Sequence, residues 1–500
     1  MNSTKLLSSI PKRLAPFGLP SSRRAIFKSN FHSSRRVLSE ASFPCIDRIE
    51  HRELLIKSHF NNDENLYKKV VDGYETFHYE KPFVLSHGGI LPSFKLAYET
   101  WGTLNKDKSN AILLHTGLSA SSHAKSHEKN SKPGWWEKFI GPGLPIDTNK
   151  YFVICTNVLG GCYGSTGPSS YNPLTGKRYA TSFPILTIFD MVRSQFHLVE
   201  SMGISKLYAS VGASMGGMQS LAAAALFPEK VGKLISISAC AISHPYSISL
   251  RYSQRQVLMT DPNFSHGNYY DKVIPHVGLK LARLISTITY RSGPEWESRF
   301  GRDRASPRSN PMLCPDYKIE TYLDHKSEKF CFEYDANSLI YISKATDMFD
   351  MTLSKQKSLE ERRVHSTELL ESKGSSPDEL YEFLTRSKLG LYNINDNFVS
   401  AEPIKQDLNY EKYLDSSNRL LNDLIAGLKN VQMPTLVLGV QSDILFPSAQ
   451  QKEIANALRL AGNKQVTYYE LDSIFGHDTF LLDIANVGAA VKGHLDHPVN

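Results

Sequence analysis

Three scarcities frame this chain of 500 residues. Long apolar runs are missing: a stretch such as Ser220–Phe227 (SLAAAALF) falls far short of the ~20 residues that carry a helix across a bilayer. No membrane association is expected, and the chain reads as soluble. Cysteines are few and scattered: the six (Cys45, Cys155, Cys162, Cys240, Cys314, Cys331) form no C-x-x-C pair and no metal-ligand spacing. They are read as core residues in a reducing compartment, with no metal and no bound cofactor. Acidic residues are absent from the start: residues 1–39 contain no Asp or Glu, against eight Lys and Arg.

That last absence explains the net charge of +7. With eight of the 57 basic residues in the leader and all 50 acidic residues after it, the remainder holds 49 basic and 50 acidic residues. A balanced body offers no basic face for nucleic acid, which is excluded as a partner. The leader itself is rich in Ser and Arg and is interrupted by Pro11, Pro16 and Pro20. This composition predicts a mitochondrial presequence over residues 1–42, with cleavage between Ser29 and Ser42 and delivery to the matrix.

What is present is an α/β pattern. Ala111–His115, Tyr151–Cys155, Leu207–Val211 and Lys233–Ser238 are short apolar runs without clean alternation, as strands buried on both faces require. Thr435–Val440 and Val466–Leu471 add two late strands. Ile188 to Met202 places Ile188, Met191, Val192, Phe196, Val199 and Met202 on one side of a helix. The pattern predicts a mainly parallel sheet flanked by helices, with a core over residues 43–250 and 430–500. Residues 251–354 read as a helical lid inserted before the last strands. Residues 355–429 read as a polar, partly disordered surface insertion and the return to the core.

Within this layout, Tyr208–Gln219 (YASVGASMGGMQ) sets Ser214 between small residues where a strand runs into an alanine-rich helix. A nucleophile elbow needs that arrangement: a strand, a tight turn, and a helix whose N-terminus faces developing negative charge. A serine hydroxyl also needs a base, oriented by a carboxylate, and in such sheets they follow in the order Ser, Asp, His. Asp443 follows one late strand and His477 the next. Asp472 and Asp483 compete with Asp443, and His494 and His497 with His477, but position favours Asp443 and His477. The oxyanion hole is assigned to the N–H of Met215, after the nucleophile, and of Leu118, in the loop His115–His123.

The segments Pro133–Trp136, Ile140–Gly143, Tyr151–Pro168, Ala213–Gln219, Gln254–Gln256, Ile288–Tyr290, Gly293–Trp296, Asp335–Asn337, Ser442–Pro447 and Gly476–Asp478 resemble the homoserine O-acetyltransferase family. That family has the α/β-hydrolase fold and includes homoserine O-succinyl- and serine O-acyltransferases. The resemblance spans roughly residues 95–350 and 430–485. It implies that acyl-CoA, as co-substrate, acylates Ser214 and that an amino-acid hydroxyl then takes the acyl group. It also implies that Arg283 and Asp478 bind the amino acid, guanidinium against α-carboxylate and carboxylate near α-ammonium. A homodimer through the lid region is a further expectation. One departure stands out: the bacterial pattern H-A-L-T-G-x-x-H is one residue longer here, ending at His123. That loop and the matrix location tilt the expected acceptor to L-serine, with a succinyl or acetyl donor, on a route to cysteine. Homoserine acetylation for methionine is the runner-up, since one methylene is worth only ~1–3 kcal/mol of discrimination. An ester or thioester hydrolase would share every catalytic residue.

Overall fold

The computed structural model describes residues 70–373 and 410–497. The leader read over residues 1–42 and residues 374–409 of the insertion lie outside the described residues. Eight strands form the central sheet: β1 (Glu75–Tyr79), β2 (Phe94–Trp101), β3 (Ala111–His115), β4 (Phe152–Thr156), β5 (Ala209–Ala213), β6 (Leu234–Ile237), β7 (Thr435–Val440) and β8 (Val466–Leu471). Their spatial order is β1-β2-β4-β3-β5-β6-β7-β8. β2 runs antiparallel to both its neighbours, and every other pairing is parallel. Among the described residues, no helix is long and apolar enough to cross a membrane.

The absence of polar alternation in the central strands has a direct cause. Ile112 and Leu114 of β3 pack into one core layer while Leu113 packs into the other, so both faces are dry. One layer is built on helices α1 (Ile188–Ser201) and α2 (Met215–Leu226), through residues such as Met191, Phe196, Met218 and Leu221. The opposite layer holds Trp136, Phe139, Val487 and Val491. Helix α1 begins where Thr187 and Asp190 cap each other's backbone N–H groups, satisfying donors the first turn leaves open.

One strand expectation shifts. The strand read over Leu207–Val211 is displaced to Ala209–Ala213; Leu207 makes only a single bridge, to Val231. Gly212 does not end the strand, because it continues the ladder opposite His115. The late strand β8 lies at the sheet edge, with Thr467, Tyr469 and Glu470 exposed. Of the cysteines, Cys155, Cys162 and Cys240 are free and buried and Cys331 is buried, whereas Cys314 is disulfide-bonded, which its spacing did not signal.

Between β6 and β7 the chain leaves the sheet through α3 (Pro245–Met259), α4 (His276–Tyr290), α5 (Gly293–Phe300), α6 (Lys318–Phe330) and α7 (Ala336–Asp347). Buried Arg251 and Arg255 of α3 both grip Asp347 at the end of α7, each at 2.5 Å. Tyr163 Oη donates to the Glu333 carbonyl (2.7 Å) and Ser247 Oγ to that of Leu445 (2.7 Å), tying the lid to the core. The start of the insertion is more ordered than its composition suggested: α8 (Leu353–Lys373) is a 21-residue helix. Long charged side chains favour helix, and Glu360 is shared by Arg363 one turn on and by Arg193 of α1 at 2.8 Å. Leu359 and Leu370 are buried beneath it, and Ser354 is bonded to Asp423 of α9 (Tyr410–Gly427).

The parallel strands place Ser214, Asp443 and His477 after the C-terminal ends of β5, β7 and β8, at one edge of the sheet. Close packing at the β5–α2 junction carries that placement. A Cβ added at Gly212 would lie 2.0 Å from the Gly216 carbonyl oxygen, a backbone atom that cannot swing away. Gly212→Ala is therefore expected to destabilise the fold by about 3 kcal/mol or more, measured as a lowered urea midpoint.

Candidate active site

Ser214 lies between β5 and α2 with φ 59° and ψ −128°, a conformation L-residues seldom hold. Its own N–H donates to the Ile237 carbonyl at 2.8 Å, and its carbonyl accepts from Gly217 and Met218 in the first turn of the helix. The turn is so tight that a Cβ at Gly216 would meet the His115 carbonyl oxygen at 2.4 Å. Small neighbours thus let the helix approach β3, while the unusual backbone lifts the hydroxyl out of the sheet.

His477 meets that hydroxyl. Its Nε2 lies 2.8 Å from Ser214 Oγ, and its Nδ1 lies 2.6 Å from Asp443 Oδ2. Asp443 is held in turn by its other oxygen, which accepts from the Leu445 and Phe446 N–H groups at 2.9 Å each. These bonds set the tautomer: Nδ1 carries the proton toward the carboxylate, leaving Nε2 to accept from serine. Phe446 stacks on the imidazole at 5.3 Å and Phe480 meets it edge-on at 5.4 Å, excluding water. Burial pushes the His477 pKa down, but the charge and hydrogen bond of Asp443 outweigh it, so the value stands above the usual 6.5.

The N–H groups of Leu118 and Met215 find no acceptor among the described residues. Met215 opens α2, where aligned peptide dipoles favour an anion. Leu118 is held by its carbonyl, which accepts from Tyr334 Oη of the lid at 2.8 Å. Beneath both, a buried chain of amides braces the turn. Gln219 Nε2 donates to the Thr116 carbonyl, Gln195 Nε2 donates to Gln219 Oε1, and His115 faces Gln195 through Nδ1 and Ser210 through Nε2. Complete burial drives the His115 pKa to about 3 against the opposing pull of Gln195, so this histidine is a neutral strut.

The lid brings Arg283 to the edge where Asp478 follows β8. Arg283 lies over the rings of Phe330 (4.5 Å) and Tyr290 (5.4 Å), with Nη1 3.5 Å from Ser119 Oγ in the Leu118 loop. Asp478 is half-buried next to His477. Desolvation raises its pKa, opposed first by Arg291 and then by His477 and Arg283. Arg291, which sequence reasoning missed, puts Nε 3.1 Å from Asp478 Oδ2 and also pairs with Glu295. A signal existed: Arg291 stands in the short gap between Ile288–Tyr290 and Gly293–Trp296, two segments already singled out. Tyr334 was missed in the same way, one residue before Asp335–Asn337.

A serine on a strained turn, a histidine and an aspartate following later strands, and the sheet order above carry one reading, and similarity to known proteins agrees with it. The family described as alpha/beta hydrolase fold matches residues 110–483. The chain is 56% identical over 459 residues to a serine O-succinyltransferase of Emericella nidulans, covering 91% of this chain and 87% of that one. The chain belongs to the α/β hydrolase fold family, in its group of serine and homoserine O-acyltransferases. A serine O-succinyltransferase of Schizosaccharomyces pombe is 51% identical over 486 residues, covering 91% of this acyltransferase-group chain and 95% of the relative. Among solved structures, a homoserine O-acetyltransferase from Bacillus anthracis superposes with a TM-score of 0.66 at 26% identity, over 86% of this chain and 98% of that one.

The backbone at position 214 yields a stability test specific to this fold. Glycine adopts φ 59° without the penalty a Cβ brings, so Ser214→Gly should be more stable than Ser214→Ala by about 1–2 kcal/mol, although both lose the hydroxyl. Paired urea titrations of the two variants measure the difference.

Proposed function

We propose that this chain is an acyl-CoA-dependent O-acyltransferase that succinylates the side-chain hydroxyl of L-serine through an acyl-enzyme on Ser214. The observation that carries the reading is 56% identity, over 91% of the chain, to a serine O-succinyltransferase. In the first half-reaction, Ser214 Oγ attacks the thioester carbonyl as His477 Nε2 takes its proton. The oxyanion settles between the N–H groups of Leu118 and Met215, and collapse expels CoA as the thiol with the proton from His477. In the second, His477 removes the proton of the acceptor hydroxyl, which attacks the acyl-serine; Ser214 leaves with that proton, and O-succinylserine forms. Asp443 keeps the imidazole in register and offsets its charge in both steps.

Arg283 receives the α-carboxylate of the amino acid. It suits that role because it rests on two aromatic faces beside the oxyanion loop, and among the described residues no carboxylate forms a salt bridge with it. Asp478 takes the α-ammonium, with Arg291 keeping the half-buried carboxylate charged until substrate arrives. The acid-free leader supports delivery to the mitochondrial matrix. Likeness to a homoserine O-acetyltransferase structure favours a second reading, acetyl transfer to homoserine at the same site.

Assaying serine and homoserine, each with succinyl-CoA and acetyl-CoA, separates these readings. Serine with succinyl-CoA should give the highest kcat/KM, with homoserine lower by about 10–200-fold. Ser214→Ala should lose transfer and the mass-spectrometric acyl adduct together. If that variant kept transfer, or if free succinate formed equally fast without an acceptor, the proposal would be wrong.

The pH profile follows from the His477 environment. The base must be neutral, and its pKa is raised, so the acid limb of kcat/KM should lie above the ordinary 6.5. Asp443→Asn removes the main opposition to burial, leaving only the weaker pull of Asp478: the limb should move to lower pH while kcat falls by about 10⁴-fold.

A further inference from the structure

His123 closes the loop whose length departs from the bacterial pattern, and the reaction above gives it no part. It is 8% exposed and lies in a cluster with Glu99 and His127. Nδ1 of His123 is 2.8 Å from Glu99 Oε2, and its Nε2 is 2.7 Å from the Lys132 carbonyl. His127 Nε2 meets the same Glu99 oxygen at 2.6 Å, and Ser122 Oγ donates to Glu99 Oε1 at 2.8 Å.

These partners fix the protons. A carbonyl only accepts, so His123 Nε2 must donate to Lys132. A carboxylate only accepts, so Nδ1 must donate to Glu99. A ring that donates at both nitrogens is an imidazolium. His127 differs: its Nδ1 accepts from the Lys129 N–H at 3.2 Å, so only Nε2 carries a proton and the ring is neutral. The cluster is thus one buried ion pair, Glu99 with His123, and one neutral donor. The same three side chains have the composition of a divalent-metal site. Protons account for every contact, however, and an ion held by His127 Nε2 would leave Nδ1–H facing the Lys129 N–H, donor against donor.

We propose that Glu99 and His123 are positioning residues for the acyl-transfer site: their ion pair fixes the loop that presents the Leu118 N–H to the oxyanion. The connection is short and continuous. Glu99 stands on β2, in the rigid sheet. The Ser122 hydroxyl hangs on it, the His123 ring is clamped to it, and the His123 N–H reaches Ser121 Oγ at 3.2 Å. The Ser121 carbonyl accepts from Trp135 Nε1 at 2.9 Å, and Tyr334 holds Leu118 from the other side. Between these anchors the loop carries only the Ala120 N–H bond to the Gly117 carbonyl and the Arg283 contact at Ser119. The Leu118 side chain packs against the core and the lid cluster, but the loop backbone aims its N–H, and a donor misplaced by about 1 Å can cost 10²-fold in rate.

The charged and titratable groups around His123 favour its charge. Glu99 comes from β2, while Glu137, itself paired with Lys125, comes from the same connection. Neutral His127 adjoins it, and the Cys155 thiol of β4, pushed up by burial and then by Glu99, stays protonated. Burial of His123 lowers its pKa, but Glu99, the Lys132 carbonyl and Glu137 raise it further, and the net shift is upward from 6.5. The pair is lost as pH rises through this raised value.

The inference rests on the oxyanion role given to Leu118, so its test avoids acyl-CoA. The readout is the second-order rate of Ser214 labelling by a fluorophosphonate, followed against pH with the full chain. In the wild type this rate should rise as His477 loses its proton, then fall at alkaline pH as His123 loses its own. Glu99→Gln should bring the alkaline fall at least one pH unit lower and leave the acid limb in place. His123→Gln should label at least 10-fold more slowly at the plateau. His123→Lys, which keeps a cation with several donors, should recover most of that rate and shift the alkaline fall upward. Nitrogen-15 NMR of the histidine rings should show both His123 nitrogens protonated at pH 7. A His123 ring neutral at pH 7, an alkaline limb unmoved by Glu99→Gln, or stoichiometric zinc in the purified protein would overturn the proposal. Loss of acyl transfer with every donor and acceptor, with these labelling profiles intact, would instead sink only the proposed reaction.

Discussion

Everything at the site depends on a single backbone constraint, the left-handed turn at Ser214. A parallel sheet brings strand ends to one edge, but a side chain there ordinarily points along the sheet or into a packed layer. At φ 59° the chain reverses within one residue, so the hydroxyl stands clear while the next N–H begins a helix. The cost is borne by neighbours that give up their side chains: Gly212 and Gly216 leave no room for a Cβ. Strain, dipole and exposure are thus three results of the same geometry, which favours reaction over stability.

Around that turn the molecule divides its labour by rigidity. The nucleophile, base and aspartate are fixed by strand ends and by short hydrogen bonds to backbone, with aromatic rings packed on the imidazole. Of the groups proposed to recognise substrate, Arg283 comes from α4 of the lid and Asp478 from the turn after β8, where lid residue Arg291 holds it. Two arginines gripping Asp347 fasten the lid's first and last helices together, so the lid is a unit hung over the sheet edge. In that proposal the reacting groups belong to the sheet, and substrate is recognised where the lid meets its edge. This agrees with a fold family whose members share a reacting centre and differ in what they act on.

The sequence made the sheet and the serine–histidine–aspartate placement legible because each depends on local order: an apolar run, then a turn residue of the right chemistry. Strand ends carried Ser214, Asp443 and His477 to a common edge without any knowledge of packing. The error at β5 came from treating Gly212 as punctuation when it is a paired strand residue. Helix α8 was masked by its charge, since composition does not reveal that Glu360 is shared between helices. The Glu99–His123 pair was beyond reach for another reason. It joins a strand to a loop 24 residues away through tautomers that only the positions of the acceptors decide. Arg291 was closer to legible, since the segments flanking it had already been singled out.

The lid also separates the reacting groups along the chain. Ser214 and His477 touch at 2.8 Å but stand 263 residues apart, with five lid helices and the paired α8 and α9 between them. A growing or partly unfolded chain therefore holds a serine on its elbow with no base beside it. In the reaction proposed above, Ser214 gains its base only when the last strand joins the edge of the sheet. Assembly of the final segment of the molecule would then be its arming step, and a chain cut short within the lid would carry the serine without the histidine.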